Sequence, residues 1–104
     1  MGRQVVFLGS TQEDLQEWPD EARREAGHQL WLVQNDREPT DWKPMPSVGP
    51  GAREIRIQEN GGQWRVLYVA KIRGLVHVLH VFNKKTQQTS QRDVNLGKSR
   101  YRSI

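Results

Sequence analysis

The chain has 104 residues, 35% of them hydrophobic, with no cysteine and a formal net charge of +4. That length supports one domain, spanning 1–104, around a modest core. The lack of cysteine excludes disulfides and cysteine-ligated zinc. No apolar run approaches membrane-spanning length, and Val5-Val6-Phe7-Leu8 is too short for a secretion signal, so no membrane association and a cytoplasmic location are expected. The charge is lopsided: residues 10–42 hold nine acidic and three basic side chains, and residues 43–104 hold twelve basic and three acidic ones. A basic half of this kind suits a polyanion.

In chain order, Gln4 to Leu8 reads as a short strand ended by Gly9. Ser10-Thr11-Gln12-Glu13 has the form of a capping box and predicts a helix with Leu15 and Trp18 on its inner face. Pro19-Asp20 restarts a second helix, which carries Ala22, Ala26, Leu30 and Val33 as a narrow apolar stripe. Four prolines within residues 36–51 predict a loop. From Arg53 the period becomes two, with Ile55 and Ile57 on one face and Glu54 and Arg56 on the other. Asn60-Gly61-Gly62 and Arg73-Gly74 are turns that bound a strand over 63–70, with Trp64, Val66 and Tyr68 on one face and Arg65, Leu67 and Val69 on the other. Leu75 to Phe82 predicts a central strand, and Ser90 to Ser103 a final helix with Arg92, Lys98, Arg100 and Arg102 on its exposed side. The expected fold class is α+β, in the order β-α-α-β-β-β-α. It comprises a small twisted, mostly antiparallel sheet with a helical hairpin on one face and a C-terminal helix.

The chemistry on offer is cationic. His77 and His80, three apart on a strand, are expected on opposite faces, so no shared metal site is predicted. No phosphate-cradling glycine loop and no serine or cysteine nucleophile motif is present. Arg56, Arg65, Lys84 and Lys85 come from three consecutive strands and are expected to converge at one end of a sheet face, beside Glu54. Such a set suits metal-free RNA cleavage, in which a 2′-hydroxyl attacks its own phosphate and cations hold the charge that develops. Glu54 is then either the base or an orienting partner for an arginine, and RNA is expected over DNA because the attack needs the 2′-hydroxyl.

The segments Arg53-Glu54-Ile55-Arg56-Ile57, Trp64-Arg65-Val66-Leu67-Tyr68-Val69 and His80-Val81-Phe82-Asn83-Lys84-Lys85-Thr86-Gln87, in this order of elements, resemble the RelE/ParE toxin superfamily. The likeness spans nearly the whole chain and is closest to the phage-derived, HigB-like branch. It implies a toxin of a type II toxin–antitoxin system, acting as an mRNA interferase in the ribosomal decoding site. It also implies a cognate helix-turn-helix antitoxin as partner, and neither a metal nor a small-molecule cofactor. By position, the catalytic candidates are Glu54, Arg56, Arg65, Lys84 and Lys85; the RNA-binding candidates are Lys43, Arg92, Lys98, Arg100 and Tyr101. Where the branch commonly continues Lys-Thr-Gln-Lys-Thr-Pro, Gln88 and Ser90 stand here, removing one charge and a helix-start proline. The same fold serves toxins that act on DNA gyrase, and inactive RNA-binding relatives are a further alternative.

Overall fold

The computed structural model describes residues 2–104. Its elements are β1 (Val5–Phe7), α1 (Thr11–Gln16), α2 (Asp20–Gln34), β2 (Trp42–Pro44), β3 (Ala52–Glu59), β4 (Gly62–Ile72), β5 (Leu75–Asn83) and α3 (Gln91–Arg102). The five strands form one sheet in the order β1-β5-β4-β3-β2. Only β1 pairs in parallel, with β5; the other neighbours are antiparallel. The α+β class and the order of the long elements match the sequence reading.

The proline-rich segment departs from it. Residues 36–51 are not all loop, because Trp42–Pro44 forms an edge strand against β3. Proline is tolerated at such an edge, where a missing N–H breaks no inner ladder. The Trp42 ring lies 3.9 Å beneath the Arg53 guanidinium, a cation–π contact that fixes the strand pair.

Tight turns set the register. Asn60 and Gly61 have φ of 51° and 72°, as a two-residue type I′ turn requires, and join Glu59 to its partner Gly62. The sheet then buries both faces. On one, α1 and α2 lay Leu15, Trp18, Ala22, Ala26, Leu30 and Val33 on a floor that includes Ile55, Val66, Tyr68 and Val78. On the other, α3 and the β2–β3 connection bring Val94, Met45 and Val48 onto Leu67, Val69, Leu79 and Phe82. This second face is therefore only partly open. Helix α3 approaches closely because residue 97 is glycine; a Cβ there would sit 3.0 Å from the Leu67 side chain.

A β-bulge corrects the histidine assignment. The β4–β5 register slips between Leu67 and Tyr68, so that Leu67 faces His80 and Tyr68 faces Val78. The extra residue, Leu79, resets the alternation. His77 thus opposes Val69 and His80 opposes Leu67, both on the α3 side, and the two histidines share a face. Both are buried, and His80 is engaged by α3 through Asp93.

Candidate active site

The centre of the α3-side face, at its open end, is a buried carboxylate. Glu54 is fully buried in mid-β3. Its register partner on β2 is Lys43, whose Nζ lies 3.8 Å from Glu54 Oε1. On the other side Arg65 Nε lies 3.7 Å from the same oxygen. The second oxygen, Oε2, accepts a hydrogen bond from Thr89 Oγ1 in the connection between β5 and α3. A buried carboxylate is tolerable only with such compensation, and removing one partner of a buried ion pair costs about 3–5 kcal/mol.

Arg65 is only 5% exposed, and its Nη1 donates to the backbone carbonyl of Trp64 at 3.0 Å. Burial moves its pKa downward, opposed by the Glu54 carboxylate. Directly across the ladder stands Arg56. Like charges facing each other in a sheet are destabilising. The fold holds them with one carboxylate each: Glu54 beside Arg65, and Asp41 beside Arg56, where Nε and Nη2 donate to Asp41 Oδ1 at 3.0 and 2.7 Å. The Arg56 backbone N–H also donates to the Asp41 carbonyl at 2.8 Å.

Lys84 completes the group. Its backbone N–H donates to the Gln63 carbonyl at 2.6 Å, extending the β4–β5 ladder past Asn83. The side chain is half-buried. Its pKa is lowered, first by burial and next by the nearby Arg65, with Lys43 and Arg56 acting the same way and Glu54 opposing. Lys43 and Arg65 thus flank Glu54, the Arg56–Asp41 pair stands across the ladder, Lys84 feels the charge of all of these cations, and Lys85 follows, exposed.

Beside this cluster lies an open cleft of about 390 Å³. Lys43 and Thr89, both in contact with Glu54, line it together with the apolar Met45 and Val94, and Gln88, Gln91 and Lys98 supply further polar groups. The remaining RNA-binding candidates lie apart from it. Arg92 is exposed on the first turn of α3. Arg100 is turned into the fold: its Nη1 donates to the Leu79 carbonyl at 3.1 Å and lies 3.4 Å from His80 Nδ1, and its Nη2 donates to Ser10 Oγ at 3.3 Å. Tyr101 donates from its hydroxyl to the Pro50 carbonyl at 2.7 Å, and its ring lies where a side chain on Gly49 would be.

Sequence reasoning missed Thr89 and Asp41. No motif marks either, since each acts on a residue that is distant in the chain. It also missed the anchor of α3. His80 Nε2 and Asp93 Oδ1 are 2.7 Å apart, and Ser90 Oγ both accepts from the Asp93 backbone N–H and donates to Asp93 Oδ2. The Ser90-x-x-Asp93 spacing was a legible helix-start signal, but the histidine partner was not.

A sheet of this order, with a helical pair on one face and a terminal helix on the other, is the architecture of RelE-type proteins. The fold is similar to a chain of the toxin–antitoxin complex RelBE2 from Mycobacterium tuberculosis, with a TM-score of 0.55 and 19% sequence identity over 81% of this chain and 100% of that one. The model of the phage-derived Gp49-like protein family matches residues 13–102, and the chain belongs to that family. No curated protein matches it.

Proposed function

We propose that the chain is the toxin of a type II toxin–antitoxin pair, of the HigB-like branch, and that it cuts messenger RNA on the ribosome without a metal ion. The observation that supports this best is the opposed pair Arg56 and Arg65 with Lys84 alongside. Two guanidinium groups held against their mutual repulsion are a fixed receptor for the oxygens of a phosphodiester. Glu54 is the holder of this group and not its base, because its oxygens face Thr89, Arg65 and Lys43.

Lys84 takes the base's role. An amine must be neutral to accept a proton, and its lowered pKa favours that form. It removes the proton of the 2′-hydroxyl, which attacks the adjacent phosphorus. Arg65 and Arg56 hold the negative charge that builds on the phosphate oxygens, and the 5′-oxygen departs and takes a proton from water. The products are a 2′,3′-cyclic phosphate and a 5′-hydroxyl. Lys43 and Lys98 flank the cleft along which the neighbouring nucleotide runs, and Lys85 and Arg92, exposed outside it, are the outer phosphate contacts. The proposed partner is a cognate helix-turn-helix antitoxin, and the proposed location is the cytoplasm.

The test is primer extension on a message translated in a purified system. The unsubstituted chain gives discrete cuts, and Arg65→Ala lowers the rate by roughly 100-fold or more, as loss of one charge-stabilising donor does. No cuts, together with inhibition of supercoiling by purified gyrase, would overturn the reading in favour of a gyrase-acting toxin. RNA binding with no cuts would leave an inactive relative.

A further inference from the structure

A second feature lies on the opposite face of the sheet from Glu54 and Arg65. A cleft of about 230 Å³ opens between the end of α2 and the sheet. Val33 and Ala70 form its apolar floor, and Tyr68, buried, closes its inner end beside Arg53. Arg53 is already occupied, with Nη1 donating to Glu38 Oε2 at 2.7 Å and its face on Trp42. Asp36 is occupied too, accepting from Arg3 Nε at 2.8 Å. The two remaining rim charges are cations, Arg37 and Lys71, both exposed and neither in an ion pair among the described residues.

Two further observations single out this rim. Lys71 has φ of 76°, a left-handed backbone at a bulge of β4, and such conformations in residues with a side chain concentrate where a site is being shaped. Trp31 is 49% exposed and is the one large apolar side chain so exposed among the described residues. It stacks on His28, and Arg37 lies 5.9 Å over its ring, so the indole and the cleft form one continuous surface through Arg37. An exposed tryptophan beside an arginine and a small cleft is the composition of a protein-binding hot spot.

We propose that this surface docks a partner protein through a segment carrying carboxylates next to an apolar side chain. The carboxylates meet Arg37 and Lys71, the apolar side chain enters the cleft over Val33 and Ala70, and Trp31 packs against the segment's flank. Charge complementarity selects this occupant: every carboxylate of the rim is paired within the chain and both unpaired rim charges are positive. The proposal rests on the antitoxin reading for the identity of the partner. It adds that the partner is anchored behind the sheet, away from the cluster around Glu54.

The experiment is calorimetric titration of the full chain with the purified product of the reading frame adjacent to its own, for the unsubstituted chain, Arg37→Glu/Lys71→Glu, Trp31→Ala and Lys84→Ala. The proposal expects each of the first two variants to bind at least about tenfold more weakly, with unchanged thermal midpoints and unchanged RNA cleavage, and Lys84→Ala to bind normally. Unchanged affinity in both surface variants overturns it, as does a loss confined to Lys84→Ala or self-association of the chain through this surface. Failure of the unsubstituted chain to bind overturns the partner reading and the surface together, whereas the cleavage assay stands independent of both.

Discussion

Thr89 donates a hydrogen bond to Glu54, and this single contact ties the connection after β5 to the middle of β3, 35 residues earlier. The donor sits five residues beyond Lys84. The segment that carries Lys84 and Lys85 is thereby closed at both ends: by the Lys84–Gln63 ladder bond at its start and by Thr89 at its end.

Replacing Thr89 by valine keeps the shape and removes the donor. A buried acceptor left unsatisfied costs about 1–3 kcal/mol, so Thr89→Val is expected to lower stability by that amount in urea unfolding. It should also slow RNA cleavage, because the lysine segment loses its far anchor. Thr89→Ser, which keeps the hydroxyl, is expected to restore both. A valine variant as stable and as active as the parent would show that Glu54 needs no such donor.

The role given to Lys84 has a sign in pH. As a base it must lose its proton first, so kcat/KM for cleavage rises with pH and levels off above the lysine's pKa. Burial and the charge on Arg65 place that inflection below the ordinary lysine value of about 10.4. Lys84→Arg keeps the charge but has no accessible neutral form, so its rate is expected to be low and flat across the same range. A rate that falls as pH rises through the inflection would make Lys84 a charge stabiliser instead.

His80 gives a separate dependence, in stability. Its pKa is lowered in the fold, chiefly by burial, with Asp93 opposing and Arg100 reinforcing. Protonation therefore favours the unfolded chain. The stabilisation is intact above the unfolded value of about 6.5 and declines as pH falls from there through the lowered folded value. Chemical denaturation between pH 8 and pH 5 is expected to show this loss, and His80→Gln to show a flatter profile from a lower starting stability. An identical slope in the variant would assign the decline to other groups.

The β4–β5 turn stores local strain. Arg73 has φ of 55° and precedes Gly74 at 73°, the backbone of a type I′ turn in which asparagine or aspartate is favoured first. A left-handed conformation costs an ordinary residue roughly 1–2 kcal/mol. Arg73→Asn is expected to raise stability by about 1 kcal/mol, read as a higher denaturant midpoint at unchanged slope. No rise would indicate that the arginine makes a compensating contact.

The local order of this protein was legible in its sequence because it rests on short-range rules. The spacing of Ala22, Ala26, Leu30 and Val33 marks α2, the alternation through Ile55 and Ile57 marks β3, and Asn60-Gly61 marks its turn, each decided within a few residues. Strand phase placed Glu54 and Arg56 on one face, and the register set by the Asn60-Gly61 turn put Arg65 opposite Arg56 on that same face. Three things were decided only by tertiary structure. Trp42–Pro44 became a strand because β3 offered an edge and Arg53 a partner for the indole. His77 and His80 came to share a face because one bulged residue shifted the register, which no periodicity can announce. The basic segment at Lys84 acquired its position because Glu54, buried by the fold, needs Lys43, Arg65 and Thr89 around it. Charge buried in a low-dielectric interior must be compensated by whatever the chain brings near, and only the folded chain determines what is near.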